Sequence, residues 1–224
     1  TQKQSLLAHI MTVWFMTTNK GKVEEASEYF SQHGLVVKQF EFEAVEPQAD
    51  DLKTVALSKI EQAIPHLPNP NDMLLVEDAG LFISALNGFP GVYSSHALKT
   101  IDIHGVLKLM SHLKSEDPIQ DGNLRKAEFR AVSVLYKNGQ KIVSEGVCPG
   151  RIGHEAVVTN GFGFDPIFIP CDLDEEGNAL AVGVMGAKST HGKPFGAILL
   201  AQKQQYSHRH RALQGLLSQL DMLG

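Results

Sequence analysis

Along the first third of the chain, short apolar runs are separated by longer polar stretches, a pattern that predicts strands alternating with helices. The runs at 13–16, 35–42 and 73–76 have the length and the apolar content of strands buried within a sheet. A helix is predicted over 52–64, and the prolines that follow it end that helix. This alternation indicates an α/β fold with parallel strands, whose active site gathers at the carboxyl ends of the strands.

The segment after the first predicted strand has the spacing of an amphipathic helix. Its apolar residues fall at i, i+3, i+6 and i+7, namely Val23, Ala26, Tyr29 and Phe30. The intervening acidic residues are predicted to face water, namely Glu24, Glu25 and Glu28. Gly34 is expected to end this helix, which completes a strand–loop–helix unit.

The middle of the chain predicts an antiparallel hairpin. Its strands are expected at 127–136 and 142–146, around a turn at 137–140 that contains the Asn-Gly pair favoured in tight hairpins. A short apolar strand is also expected at 167–169. An antiparallel hairpin joined to parallel strands gives a mixed central sheet flanked by helices.

Helices are predicted at 101–113 and 202–223, the second from leucines at helical spacing. The glycine-rich segment 174–196 is predicted to be a long, mobile connection. Residues 1–10 are polar and are interpreted as a possible N-terminal extension. The remainder, 11–224, is expected to form a single domain.

Composition narrows the class of protein. At 224 residues and 43% hydrophobic content, the chain is long enough to fill a core, and its two cysteines are too few for a disulfide scaffold. The cysteines are expected to be buried or incidental. A net charge of −5 argues against a nucleic-acid-binding face, and no apolar run approaches the ~18 residues of a membrane span. We therefore expect a cytoplasmic protein that acts on single nucleotides, with neither a membrane nor a nucleic-acid polymer as partner.

The loop at 17–22 joins the first predicted strand to the first predicted helix and combines two hydroxyls, an amide, two cations and a glycine. Backbone N–H groups and the positive end of a helix favour an anion at such a turn, so the loop could hold a triphosphate. An ordinary polar loop accounts for these residues equally well when they are taken alone. The loop does not have the glycine and lysine spacing of a P-loop.

Two adjacent carboxylates, Glu77 and Asp78, directly follow the third predicted strand. Adjacent carboxylates repel each other unless solvent, a cation or a proton intervenes, which favours a metal site over a solvated turn before Gly80. Hard oxygen ligands suit Mg²⁺, which bridges a few carboxylates to substrate phosphates. Glu46, in the acidic segment after the second strand, is a third candidate ligand, although on its own it would be interpreted as a solvated residue.

Two further segments could contact a base. At 161–166, two phenylalanines lie between glycines and precede a carboxylate and a proline, and aromatic rings in such a setting can stack on a base. A tight turn into the following strand explains the same residues. The cluster at 207–211 follows Lys203 and could bind a purine edge and a phosphate, with a solvated basic helix end as the alternative.

Taken together and in order, these segments resemble the inosine triphosphate pyrophosphatase family from Val13 to about Leu213. The family motifs are matched in this order: T-G-N-x-x-K at 17–22, E-x-Q-x-[DE] at 46–50, V-E-D-[ST]-G-L at 76–81, L-x-G-x-P-G-x-Y at 86–93, G-F-G-[YFW]-D-P-x-F at 161–168, and K-x-x-x-S-H-R-x-x-A-L at 203–213. Each motif alone is modest, whereas the ordered set across most of the chain is specific.

The resemblance implies a fold of two lobes with the active site in the cleft between them, and a homodimer. It also implies Mg²⁺-dependent hydrolysis of ITP, dITP and XTP to the monophosphate and pyrophosphate, which sanitises the nucleotide pool. Mg²⁺ would be bound by Glu46 and Asp78, with Glu77 as a further candidate. Asp78 would also orient or deprotonate the attacking water, and Lys22 would stabilise the departing pyrophosphate.

The resemblance also implies the substrate contacts. Asn19 and Lys22 would hold the phosphates, and the base would lie against Phe162 and Phe164, in a pocket supported by Asp165. The other residues expected to bind the substrate are Thr17, Thr18, Lys20, Gly21, Ala79 and Gly163. Lys203, His208 and Arg209 would contact the 6-oxo edge of the purine.

Departures from the family pattern leave two alternatives open. Thr18 replaces a glycine of the family motif, and Ala79 replaces a small hydroxyl residue. Residues 190–203 correspond to the acidic family stretch T-F-A-E-[LM]-x-x-E-E-K, but they lack a glutamate that is common there. One alternative is therefore a pyrophosphatase with a shifted base preference. The other is a catalytically silent nucleotide-binding protein.

Overall fold

Six strands form one mixed sheet in the computed structural model, which describes residues 11–157 and 161–222. The strands are β1 (Thr12–Met16), β2 (Val36–Phe40), β3 (Met73–Ile83), β4 (Lys126–Lys137), β5 (Gln140–Ile152) and β6 (Phe168–Pro170). Their order across the sheet is β2-β1-β3-β4-β5-β6. β1 is parallel to β2 and β3, and the pairs β3–β4, β4–β5 and β5–β6 are antiparallel. The predicted α/β fold with a mixed sheet is confirmed, and the possible extension at 1–10 lies outside the described residues.

Seven α-helices pack around the sheet in the described part of the chain. They are α1 (Lys20–Ser31), α2 (Leu52–Ala63), α3 (Ser94–Thr100), α4 (Asp102–Leu109), α5 (Pro118–Leu124), α6 (Leu200–Gln204) and α7 (His208–Met222). Single 3₁₀ turns occur at Ile64–His66, Ser84–Leu86, Gly91–Tyr93 and Phe195–Ala197. Within residues 11–157 and 161–222, no helix has the length and apolar character needed to cross a bilayer.

The apolar residues of β3 point alternately to two buried clusters, as expected of a strand covered on both faces. Leu75 packs with residues of α1 and α7 on one face of the sheet. Leu74 and Val76 pack with α2 on the other face. A third cluster, around Phe168, joins the far end of β3 to β4, β5, α3 and α4. The two clusters beside the parallel strands form one lobe, and the third cluster forms the second lobe.

The third strand runs to Ile83, so the prediction that it ends after Val76 is wrong. β1 stops pairing with β3 at Val76, whereas β4 pairs with β3 as far as Ile83. Residues 77–80 therefore stay extended, with one edge of the strand no longer covered by β1. A Cβ added to Gly80 would lie 2.3 Å from the carbonyl oxygen of Gly91, so this glycine lets the loop before α3 approach the strand.

The helix predicted at 101–113 is wrong in its bounds. Asp102 adopts a left-handed φ of 58°, which separates α3 from α4, and its carboxylate accepts a hydrogen bond from the Ile103 N–H at 2.7 Å. α5 was not predicted, although its start has a recognisable sequence pattern: Asp117 caps the helix and Pro118 is its first residue. The predicted hairpin is confirmed, and Asn138 and Gly139 form its turn.

The helix predicted at 202–223 is divided into α6 and α7, and its last residue lies outside the described range. The division occurs because Ser207 acts as a cap: its hydroxyl accepts a hydrogen bond from the His210 N–H at 3.4 Å. Tyr206 and Ser207, in the segment that joins α6 to α7, are both buried. The first residues of α7 thereby face the space between the lobes.

The glycine-rich segment 174–196 is a long connection between β6 and α6, as predicted, and specific contacts hold part of it. Its mobility stays a prediction. The Asp172 carboxylate accepts hydrogen bonds from the Gly186 N–H at 3.1 Å and from the Ser189 hydroxyl at 2.9 Å. Val182 is buried and lies over Gly122 of α5. Both cysteines are buried, as predicted.

Candidate active site

A cleft of about 790 Å³ lies between the two lobes, and it brings together most of the predicted site residues. Of those residues, the cleft is lined by Thr17, Thr18, Asn19, Lys22, Glu46, Glu77, Asp78, Ala79, Phe162, Gly163, Phe164, Asp165, Lys203, His208 and Arg209. Lys20 and Gly21 do not line it. Ser95, Leu98 and Lys99 of α3 form part of its opposite wall and were not predicted.

The loop between β1 and α1 is shaped by Asn19. Its side-chain oxygen accepts hydrogen bonds from the backbone N–H groups of Gly21 at 3.0 Å and Lys22 at 3.4 Å, so Asn19 is the N-cap of α1. Gly21 lies beneath Phe162, because a Cβ at this position would be only 2.4 Å from the Phe162 ring. Lys22 extends into the cleft, where its ammonium is 3.3 Å from a carboxylate oxygen of Glu77.

Glu77 and Asp78 point to opposite faces of β3, as successive residues of a strand must. Asp78 faces α2, whereas Glu77 faces α7, where it accepts two hydrogen bonds from Arg209, each at 2.8 Å. Burial raises the pKa of Glu77, but the charges of Arg209 and Lys22 outweigh burial and lower it to about 2. The carboxylates of Glu77 and Asp78 therefore lie on opposite faces of the strand and do not face a common ligand position. The metal-binding role of Glu77 stays a prediction.

Lys59 of α2 lies between the two other candidate metal ligands. Its ammonium is 2.6 Å from an oxygen of Glu46 and 3.2 Å from an oxygen of Asp78. Burial raises the pKa of Asp78, although Lys59 opposes that rise. In the described part of the chain, no group of three or more Asp, Glu, His or Cys side chains is placed to hold a metal ion.

The position of Lys59 on α2 is itself a sequence signal for a buried charge. Leu52, Ala56 and Ala63 form the buried stripe of α2, and Lys59 occupies the remaining position of that stripe. A lysine in an apolar stripe indicates a buried partner for its charge.

Glu25 is buried beside Lys203 and Arg209, so the prediction that it faces water is wrong. Lys203 donates to Glu25 at 2.7 Å and to Asp165 at 2.8 Å, and Arg209 also donates to Glu25. Burial raises the pKa of Glu25, but Arg209 and Lys203 outweigh it and lower the pKa. The only sequence sign of this role is that Glu25 lies beside Ala26 in the buried stripe of α1.

The buried charge cluster comprises three acids and three bases, of which only Lys22 is partly exposed: Glu25, Glu77, Asp165, Lys22, Lys203 and Arg209. Its charges balance, and its hydrogen bonds fix the positions of the lysine and arginine donors. Buried charges are tolerated when they are paired and hydrogen-bonded in this way.

Phe162 and Phe164 have different environments. The Phe162 ring lies in the cleft, 4.7 Å from the Lys203 ammonium and 5.5 Å from the Arg209 guanidinium. The Asp165 carboxylate accepts a hydrogen bond from the Phe162 N–H at 2.9 Å. Phe164 borders the cleft, but it is only 5% exposed and packs in the core of the second lobe. Phe162 is therefore the ring that is free to stack on a ligand.

His208 is buried and stacks on Phe129, with ring centroids 4.7 Å apart and an angle of 14° between the rings. Burial and the nearby Arg209 charge lower its pKa to about 3. His208 is therefore neutral at neutral pH, with one ring nitrogen that donates and one that accepts. Its Nδ1 has no hydrogen-bond partner among the described residues.

The lowered pKa of His208 predicts acid sensitivity. Because the histidine binds a proton near pH 6.5 when unfolded but near pH 3 when folded, stability falls as the pH drops between these values. Relative to His208→Phe, the wild type should lose about 2–3 kcal/mol of unfolding free energy between pH 6.5 and 4.5. Urea unfolding across this pH range measures the difference. His104→Phe, on the exposed side of α4, is the control, and equal slopes for wild type and His208→Phe would contradict the prediction.

Comparisons with known proteins agree with the motif order. Residues 13–219 match the Ham1 family. The chain is 36% identical over 210 residues to a dITP/XTP pyrophosphatase of Pyrococcus horikoshii, covering 94% of this chain and 97% of that protein. It is also 36% identical over 204 residues to one of Thermococcus kodakarensis, covering 91% of this chain and 94% of the relative.

Solved structures support the fold. A Ham1 protein of Staphylococcus aureus superposes with a TM-score of 0.68 at 24% identity, covering 95% of this chain and 100% of that one. A HAM1 protein of Coxiella burnetii gives a TM-score of 0.69 at 24% identity, covering 95% of this chain and 99% of that one. The resemblance found in the motifs is confirmed, and this chain belongs to the Ham1 family.

Proposed function

We propose that this protein is a nucleoside triphosphate pyrophosphatase that hydrolyses ITP, dITP and XTP to the monophosphate and pyrophosphate, and so sanitises the nucleotide pool. The main support is that a single cleft joins the phosphate loop, the Glu46–Asp78 carboxylates and a pocket of fixed donors beside Phe162. Relatives that align along nearly the whole chain are named dITP/XTP pyrophosphatases, which supports the same reaction.

Mg²⁺ is the proposed cofactor, and the donor set fits it. Glu46 and Asp78 present hard oxygen ligands, and they already enclose a cationic group, the Lys59 ammonium. These two carboxylates would hold the ion. When bound, Mg²⁺ would supply charge neutralisation of the triphosphate and polarisation of the reacting phosphorus.

Residues of the chain would supply the base, the charge stabilisation and the positioning of the phosphate loop. Asp78 orients the attacking water and accepts its proton, and its raised pKa makes it a better base than an exposed carboxylate. Lys22 and the N-terminus of α1 stabilise the negative charge of the departing pyrophosphate. Asn19 keeps the loop in the shape that this contact requires, because it caps the helix.

The preference for one purine base over another follows from hydrogen-bond donors whose positions are fixed by ion pairs. Lys203 and Arg209 are held by Glu25, Asp165 and Glu77, and their ammonium and guanidinium groups only donate hydrogen bonds. A 6-oxo purine accepts such bonds, whereas the 6-amino group of adenine leaves buried donors unpaired. Phe162 supplies the stacking surface for the base.

A substrate panel tests the proposal. ITP, dITP, XTP, GTP, ATP and dUTP are incubated with the protein and Mg²⁺, and pyrophosphate and orthophosphate are measured separately. We expect pyrophosphate as the product, with kcat/KM for ITP or XTP at least about 100-fold above that for ATP. Stepwise release of orthophosphate, or turnover that does not depend on the metal, contradicts the proposal.

The same panel separates the two alternatives. A shifted base preference gives pyrophosphate from another nucleotide, whereas a silent binding protein binds nucleotide without turnover. The homodimer stays a prediction from the family resemblance, and light scattering measures it. The cytoplasmic location stays a prediction from composition.

A further inference from the structure

We propose that Lys59 occupies the metal position in the nucleotide-free enzyme, so that the divalent ion binds together with the nucleotide and not before it. This inference rests on the proposed function. It concerns the order in which cation and substrate reach the site.

The geometry places a positive charge where the metal is expected. The Lys59 ammonium is 2.6 Å from Glu46 Oε1 and 3.2 Å from Asp78 Oδ1, and no other described cation lies within 4 Å of either carboxylate. A divalent ion held by the same two oxygens would lie next to this ammonium. Like charges at such a distance repel strongly in a partly buried site.

Lys59 cannot leave the site by a shift of its helix. Ala56, Ile60 and Ala63 of α2 are fully buried against the sheet, so the backbone of Lys59 is fixed. Only 15% of its side chain is exposed, compared with 14% for Asp78 and 59% for Glu46. The ammonium must therefore swing within the cleft, and it needs a new anionic partner when it does.

The nucleotide provides that partner. Two carboxylates and one ammonium carry one net negative charge, and a divalent ion alone would reverse its sign. A triphosphate supplies oxygens that can accept the displaced ammonium and balance the added charge. Metal and nucleotide therefore favour each other's binding, and linkage makes this effect equal in both directions.

The test measures metal binding without turnover. Mn²⁺ is titrated into nucleotide-free protein, and the loss of the electron paramagnetic resonance signal of free Mn²⁺ gives the dissociation constant. We expect Lys59→Met to bind Mn²⁺ at least about tenfold more tightly than the wild type. Addition of α,β-methylene-ITP should tighten Mn²⁺ binding to the wild type more than to Lys59→Met.

Matched variants test whether the tighter Mn²⁺ binding comes from loss of the Lys59 charge beside Asp78. Lys53→Met, on the exposed side of the same helix, should bind Mn²⁺ as the wild type does. Adding Asp78→Asn to Lys59→Met should abolish the gain, and Lys59→Gln should reproduce it if the Met variant does not fold. Fluorescence of Trp14, the single tryptophan, reports folding of each variant.

Two results overturn the inference: Mn²⁺ binding to folded Lys59→Met or Lys59→Gln that is no tighter than to the wild type, or a gain that survives Asp78→Asn. Pyrophosphate release by the wild type keeps this failure separate from failure of the proposed function. If the wild type releases pyrophosphate and the gain is absent, only the role of Lys59 is wrong.

Discussion

Asp78→Asn is expected to slow pyrophosphate release by about 10³-fold, because one substitution removes both the base and a proposed metal ligand. The amide cannot accept the proton of the attacking water, and it is a weaker ligand for a hard cation. The side chain is 14% exposed at the edge of the cleft, so the change alters chemistry with little change in shape. Single-turnover measurements with ITP and saturating Mg²⁺ give the rate.

The control for this result is Glu145→Gln, an exposed carboxylate on β5 outside the cleft, which should keep wild-type activity. Glu46→Gln should act mainly on the dependence of the rate on Mg²⁺ concentration, because Glu46 is a proposed ligand but not the base. If folded Asp78→Asn kept wild-type turnover, the proposed mechanism would be wrong.

The central strand shows why part of the fold escaped prediction. The run at 73–76 is apolar on both faces and was correctly assigned to a strand. Its continuation to Ile83 contains polar residues and a glycine, and only pairing with β4 keeps that continuation extended. Ser133, the β4 partner of Glu77, lies more than fifty residues away in the chain, so no local pattern reports the pairing. The predicted end of the strand at Val76 was therefore wrong.

In the candidate site, too, some residues were predicted from the sequence and others were missed. The motifs predicted most of the residues that line the cleft, because those residues belong to loops and strand positions with a fixed local spacing. Glu25 and Lys59 were missed because a single charged residue on an amphipathic helix is normally assigned to solvent. Their burial depends on which residues of distant elements face them, namely Lys203 for Glu25 and Asp78 for Lys59.

The second large expected effect concerns stability. Arg209→Met should lower the free energy of unfolding by about 3–5 kcal/mol, because it removes one partner of a buried ion pair. Arg209 is 3% exposed and contacts both Glu77 and Glu25. Without it, three buried acids would face two bases. Urea unfolding at pH 7, followed by the fluorescence of Trp14, measures the change.

Arg211→Met is the matched control, because Arg211 lies two residues further along α7 and its guanidinium contacts only the exposed carbonyl of Val147 among the described hydrogen-bond partners. This variant should remain within about 0.5 kcal/mol of the wild type. A loss of that small size for Arg209→Met as well would show that the buried charge cluster contributes little to stability.

A second substitution distinguishes lost charge from lost packing. Glu77→Gln in the Arg209→Met background returns the cluster to equal numbers of acids and bases, since two acids, Glu25 and Asp165, and two bases, Lys22 and Lys203, then remain. If uncompensated charge causes the loss, the double variant should be more stable than Arg209→Met by at least about 1 kcal/mol. If missing van der Waals contacts cause it, Glu77→Gln should bring no recovery, because the cavity left by the guanidinium is unchanged.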